Sequence, residues 1–447
     1  MTIVSAPAAA DTPLLALACP KSNVAYGLAD AARLLLPHLE RGQRIDAVAL
    51  RNAMERAFGG SDAAGAWDWK AAYDACEAAT VLFLRKFGPA IRAQAASPAG
   101  VLQMLGKVAS LLPTHTRRSQ ESQALQQFST PIELAFAAAA AAAVGPADVV
   151  LEPSAGTGLL AIFAELAGSG LVLNELAEAR AGLLNQLFPD VSITRHDAAH
   201  INDHLDGALR PSVALMNPPF SVAAHVDGVV ADAALRHVAS ALARLTDGGR
   251  LVAITGARVS PDHPSWRDAF VRLQERGRVV FSAAIDGRVY ARHGTAVETR
   301  LTVIDRVPAP DPESFPASPG MAPDAATLLS WVLQHVPARL PVDGLSLFPA
   351  VARVISVRAK PASAPRPTAS AATAFEPAGT ELVYETVDWK PAEDGCLTEA
   401  LYEPYGLQSV RIEGARPHPT RLVQSSAMAS VAPPKPAYRP HLLANVV

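Results

Sequence analysis

A short apolar run that ends in an acid and a double-glycine turn constrains this chain more than any other stretch. Ala147-Asp148-Val149-Val150-Leu151 has the character of a buried strand, Gly156 and Gly158 permit a tight turn, and 159–166 resumes as an apolar helix. Strand, glycine loop and helix in that order open a parallel α/β unit, with the loop at the carboxyl edge of the sheet where ligands bind. Further apolar runs at 170–174, 191–194, 212–216, 251–255, 279–283 and 300–305 supply the rest of a seven-stranded, Rossmann-like α/β sheet.

The loop by itself leaves its ligand open. Gly156-x-Gly158-x-x-Ala161 also satisfies the dinucleotide fingerprint, with Glu175 near the place of a ribose-binding acid. Two neighbours favour S-adenosylmethionine. Glu152 ends the strand before the first glycine, and Pro153 stiffens the turn that Ser154 and Ala155 continue. A carboxylate there repels a pyrophosphate and attracts a sulfonium or an ammonium. Glu175, ending the second strand, can accept from two ribose hydroxyls, and Asp197, after the third, can accept from an adenine amino group.

The fourth strand, 212–216, delivers Asn217-Pro218-Pro219-Phe220 to the same edge. An exocyclic amine on a purine is a poor nucleophile because its lone pair is delocalised into the ring. The Asn217 side-chain oxygen and the Pro218 carbonyl are two acceptors for its two hydrogens. Pro218 and Pro219 leave that backbone little freedom to lose, and Phe220 offers a face to a base drawn from its stack. Direct in-line transfer then needs positioning and electrostatics alone. Carbon methylation needs a thiolate, usually presented just after a proline, and none of Cys19, Cys76 and Cys396 follows one. Their scatter also excludes a convincing zinc site or disulfide framework, which suits a reducing cytosol, so no metal is expected.

In the order Phe128-Ser129-Thr130-Pro131, Glu152 to Gly158, Glu175, Asp197 and Asn217 to Phe220, the chain resembles the amino-methylating DNA methyltransferases whose cofactor half precedes the catalytic half. The resemblance spans about 126–305 and implies an S-adenosylmethionine-dependent, N6-adenine-specific enzyme, with Phe128, Thr130 and Pro131 closing over the methionine end of the cofactor. Gly65 to Lys70, Tyr402-Glu403-Pro404-Tyr405 and Arg416 to Thr420 look like the amino-terminal portion of strawberry notch-type proteins, in which a methylase is fused to a helicase-like ATPase. That second resemblance implies an ATPase partner, in cis or in trans, because no phosphate-binding glycine-lysine motif occurs in this chain.

The organisation expected is a flexible 1–27, a helical cap at 28–120, a methyltransferase domain at 121–306, a proline- and alanine-rich linker with a short structured insert at 307–380, and an adaptor tail at 381–447. More than half of the prolines lie beyond Asp305. A net charge of -3 requires any contact with DNA, or RNA, to come from a local patch. Two candidates present themselves: Arg117-Arg118 before the lid motif, and the connection 286–294 with Arg288, Tyr290 and Arg292. The apolar amino terminus lacks the basic start of a signal peptide, and the alanine run 137–143 is too short to span a bilayer, so a cytoplasmic protein is expected.

Three readings remain. The first is a DNA adenine methyltransferase. The second keeps the chemistry on guanine in RNA or glutamine in a protein, although phenylalanine at 220, where glutamine-modifying relatives carry tyrosine, favours a base. The third is a non-catalytic nucleic-acid-binding module that serves an ATPase.

Overall fold

The computed structural model describes residues 20–115, 129–219 and 233–342. Their centre is an eight-stranded sheet of order β3-β2-β1-β4-β5-β7-β6-β8. β1 (Val149–Glu152), β2 (Gly170–Asn174), β3 (Ile193–Thr194), β4 (Val213–Met216) and β5 (Arg250–Gly256) run parallel. β7 (Thr299–Asp305) lies antiparallel between β5 and β6 (Arg278–Ile285). The winding reverses between β1 and β4, which opens a crevice beyond their carboxyl ends.

All seven expected strands are present, with bounds that agree within a residue or two. The eighth, β8 (Met321–Ala322), pairs parallel to the outer edge of β6 and corrects the expected strand count. It arises within 308–323, a stretch read from its proline content as linker. An edge strand needs partners for its backbone groups, and irregular chain can provide them. Ala284 N–H donates to the Gly320 carbonyl at 3.0 Å and Asp286 N–H to that of Ala322 at 2.9 Å. Phe315, from the same stretch, meets Phe270 edge to face with ring centroids 6.4 Å apart.

One face of the sheet carries α5 (Ile132–Ala142), α6 (Ala161–Leu166) and α7 (Glu178–Leu187). The other carries α8 (Ile201–His204), α9 (Ala233–Arg244) and α10 (Pro264–Gln274). The alanine run is the buried helix α5, packed on β4 and β5, and no helix among the described residues is long and apolar enough to cross a membrane.

The amino-terminal region forms the helices expected of it: α1 (Pro20–Glu40), α2 (Ala47–Phe58), α3 (Trp69–Gln94) and α4 (Pro98–Leu111). Asp46, Asp68 and Ser97 cap the last three through their side chains. Together with α11 (Ala325–His335) they make an extra layer: α1 packs on α3 and α7, α3 on α6, and α4 and α11 on α5. The approach of α1 is close enough to require Gly182 on α7, where a Cβ would lie 2.7 Å from that of Ala25. The face of α3 marked out by Tyr73, Cys76, Ala79 and Leu84 is buried, and it takes two acids, Asp74 and Glu77, inside with it.

Candidate active site

The strand ends at the switch point surround a cleft of about 860 Å³, part of it open to solvent. Thr130, Glu152, Pro153, Ser154, Ala155 and Gly156 line it together with Glu175, Asp197, Asn217, Pro218 and Pro219. Of the remaining residues expected there, Pro131 is buried at the start of α5 and Gly158 packs beneath the loop. Phe128 and Phe220 lie outside the described residues.

The two loop glycines have different tasks. Both hold positive φ, 56° at Gly156 and 88° at Gly158. A Cβ on Gly156 would meet nothing within 4 Å, so it would stand in the cleft. One on Gly158 would lie 2.6 Å from the Phe188 ring, so that glycine lets the loop settle on α7 and its end.

Asn174, wholly buried at the end of β2, ties three strand ends together. Its Nδ2 donates to the carbonyls of Pro153 at 2.8 Å and His196 at 2.9 Å, and its Oδ1 accepts from His196 N–H at 2.8 Å. Glu175 follows with both oxygens engaged by backbone, Oε2 by Gly156 N–H at 2.8 Å and Oε1 by Ala177 N–H at 2.9 Å. A carboxylate has about four lone-pair sites, so an aimed Glu175 can still accept from a diol. Leu176 beside it is 60% exposed on the cleft wall, an apolar surface suited to an aromatic ring. Asp197 caps the short 3-10 turn 198–200 with one oxygen, accepting from Ala199 N–H at 2.9 Å.

Glu152 sits 2% exposed at the end of β1, and its Oε2 has no hydrogen-bond partner. Burial pushes its carboxyl well above the usual range, and the negative charge of Glu175 adds to the shift. A buried carboxyl with an orphaned oxygen on a cleft wall is a site for a cation or an N–H donor.

Asn217 emerges from β4 with its Nδ2 donating to Thr130 Oγ1 at 2.8 Å. Thr130 is buried, so this bond fixes the amide plane. An amide oxygen has two lone pairs and can accept from a substrate as well as from the protein. Tyr290 lies behind this group: burial pushes its hydroxyl up, and a hydrogen bond with the Asn217 side chain opposes that shift.

This overturns the expectation that Tyr290 meets nucleic acid. The connection 287–293 is a 3-10 turn in which Tyr290 is wholly buried, because its apolar ring packs into the core. Arg292 donates to the carbonyls of Ser110 at 3.2 Å and Leu112 at 3.1 Å, stapling the turn to the end of α4. Arg288 is exposed and paired with Asp286 at 3.0 Å, and Arg117 and Arg118 lie outside the described residues.

Sequence reasoning missed what α3 brings to the cleft. Glu77 lines it and accepts from Thr157 Oγ1 at 2.6 Å. Asp74 takes a two-pronged bond from Arg180, at 2.8 and 3.1 Å, and Arg180 lines the cleft below Glu175. The signal was present as two acids on a helix face otherwise apolar. His237, whose Nδ1 is buried without a partner and whose burial holds it below the usual histidine range, completes the wall near Asp197. Cys76 is buried and its thiol pushed up, unlike a nucleophile.

No protein-family model matches the chain, and no curated protein matches it. Three solved structures align with parts of the chain. A putative class I S-adenosylmethionine-dependent methyltransferase from Listeria monocytogenes aligns at 12% identity over 71% of this chain and 98% of its own, with a TM-score of 0.40. A modification subunit of a putative type I restriction enzyme from Vibrio vulnificus aligns at 15% identity over 46% of this chain and 50% of its own, with a TM-score of 0.36. The type I restriction-modification methyltransferase subunit from Streptococcus thermophilus aligns at 14% identity over 46% and 48%, with a TM-score of 0.34. The present chain therefore spans about half the length of the last two. The sheet order described above, with five parallel strands whose winding reverses between β1 and β4, is that of a Rossmann-like α/β fold.

Proposed function

We propose that this chain is an S-adenosylmethionine-dependent methyltransferase that acts on the exocyclic amine of adenine in DNA. The observation that carries the proposal is the meeting, in one cleft, of Asn217-Pro218-Pro219 with the loop 152–157 and Glu175. The residues present fit the cofactor. Glu152 offers a buried orphaned oxygen to a cationic group, the bare Cα of Gly156 leaves room for close approach, Glu175 is held to receive a ribose, and Leu176 can rest against a purine. When bound, S-adenosylmethionine supplies an electrophilic methyl group on a sulfonium.

The chain's own residues then act on the acceptor. Asn217, its amide plane set by Thr130, accepts one hydrogen of the amine, and the Pro218 carbonyl accepts the other. Together they favour the pyramidal nitrogen whose lone pair can attack. Dispersal of the positive charge toward these two acceptors lowers the barrier without any covalent enzyme intermediate. Adenine reaches the cleft only when turned out of its stack, which costs least in single-stranded or mismatched DNA.

The test incubates the chain with S-adenosylmethionine tritiated in the methyl group and with DNA, RNA or protein in parallel. Label in DNA supports the reading. Label confined to RNA or to protein glutamine transfers the same chemistry to another acceptor, and no transfer to any of them favours a module that serves a helicase-like partner.

A further inference from the structure

Behind the cleft, three chain segments far apart in sequence converge on Glu77, His115 and His293. One ligand atom from each, a carboxylate oxygen and a ring nitrogen from each histidine, lies within 4.8 Å of the other two. Glu77 comes from α3, His115 from the chain leaving α4, and His293 from the end of the 3-10 turn that carries Tyr290. The meeting is fixed by backbone, since His115 N–H donates to the Arg292 carbonyl at 2.8 Å and the Arg292 side chain holds the end of α4.

Two polar atoms in this group lack a protein partner. Glu77 uses Oε2 for Thr157, while its Oε1 is buried with none, and His293 Nδ1 is buried with none. Buried polar atoms without partners are costly in an interior, and two of the three residues in this cluster carry one. Burial, with the charges of His115 and Arg292, holds His293 down to about 3, so its ring is neutral at ordinary pH, the form that binds a metal. Stacking of Tyr73 on His115, with centroids 3.9 Å apart, holds the second ring in place.

We propose that Glu77, His115 and His293 bind a divalent transition-metal ion of the zinc type. Two imidazoles and one carboxylate suit such an ion better than magnesium or calcium, which prefer oxygen throughout. Bond lengths of about 2.0–2.2 Å place tetrahedral ligand pairs about 3.4 Å apart, and the three atoms already lie within 4.8 Å of one another. Of the positive charges around the site, Arg180 and Lys70 are engaged with Asp74, and Arg292 donates to the carbonyls of Ser110 and Leu112. The ion would tie the helical layer, through Glu77 on the cleft wall, to the turn behind Asn217, and the inference does not depend on the proposed methyl transfer.

The untagged full chain, stripped by chelator and dialysed, is titrated with Co²⁺ and with Zn²⁺. We expect one equivalent of Co²⁺ to bind with micromolar or tighter affinity and visible ligand-field bands, and Zn²⁺ to displace it. His115→Ala and His293→Ala should each weaken binding at least tenfold, and the double variant should abolish it. Should the variants fail to fold, the wild-type Co²⁺ form still decides, since it should show two exchangeable, hyperfine-shifted imidazole N–H proton resonances. Absence of saturable binding, or binding that the double variant leaves unchanged, would reduce the cluster to groups sharing protons and overturn the proposal.

Discussion

Replacing Glu152 with glutamine changes one charge and almost no shape, and it isolates what a buried acid does at the mouth of the loop. In the ligand-free protein the carboxyl is 2% exposed, with one oxygen unpartnered and Glu175 pushing it further toward the protonated form. The folded state then holds a proton that the unfolded chain releases, so folding stability is greatest at low pH and falls as pH rises through the raised value. Glu152→Gln removes that slope and should leave the free protein as stable as wild type, or more so, above neutral pH. Cofactor binding moves the other way. A hydrogen bond to a charged group contributes about 1.5–3 kcal/mol, which corresponds to a loss of about 10- to 150-fold in affinity for S-adenosylmethionine. Wild-type affinity should also climb with pH across the window in which Glu152 ionises. Calorimetry over a pH series measures both effects, and S-adenosylhomocysteine, which keeps the ammonium and loses the sulfonium charge, separates the two possible partners. An affinity for the cofactor within twofold of wild type in the variant would refute the assignment of Glu152.

Other expectations follow from individual contacts. Asn217→Ala should lower methyl transfer by about a hundredfold or more while leaving cofactor affinity unchanged, the scale for losing one preorganised polar group at the reacting atom; normal turnover would remove the amine clamp. Thr130→Val strips the acceptor from the Asn217 amide and should reduce kcat by about tenfold, with recovery in Thr130→Ser, because a hydrogen bond of about 1 kcal/mol and the orientation it sets are lost. Tyr290→Phe should act in the same direction through Asn217 and leave KM for DNA unchanged, whereas a raised KM alone would restore Tyr290 to the nucleic-acid surface. The loop glycines should separate in their effects. Gly158→Ala drives a Cβ into Phe188 and should destabilise the fold by about 2–5 kcal/mol, as seen in thermal or urea unfolding, while Gly156→Ala should keep the fold and weaken cofactor binding at least tenfold.

The strand, loop and helix at 149–166 were legible because every local preference there agrees: an apolar run, glycines where φ is positive, and an apolar helix. The placement of Glu152, Glu175, Asp197 and Asn217 followed from one rule, that residues ending parallel strands share an edge. Three things were not legible for a common reason, namely that sequence neighbours say nothing of what a segment meets in space. Asp74 and Glu77 interrupt an apolar helix face, and only the docking of α3 on α6 sets Glu77 against Thr157 of the loop. Tyr290 sits in a basic, glycine-flanked run that reads as a surface turn, yet the turn folds inward as a 3-10 helix and buries the ring beside Asn217. β8 is two residues in proline-rich chain, too short for any periodicity, and exists because β6 offers an edge.

The central claim is that Asn217 presents an adenine amine for methylation, and nucleoside mass spectrometry tests it most directly. Wild-type chain and Asn217→Ala are incubated with S-adenosylmethionine carrying a deuterated methyl group and with single-stranded or duplex DNA, which is then digested to nucleosides. The expected result is deuterated N6-methyl-2′-deoxyadenosine in the wild-type digest, more from single strands than from duplex, and about a hundredfold less or none with the variant. Label on cytosine or on no nucleoside at all, or equal N6 labelling by the variant, would contradict it.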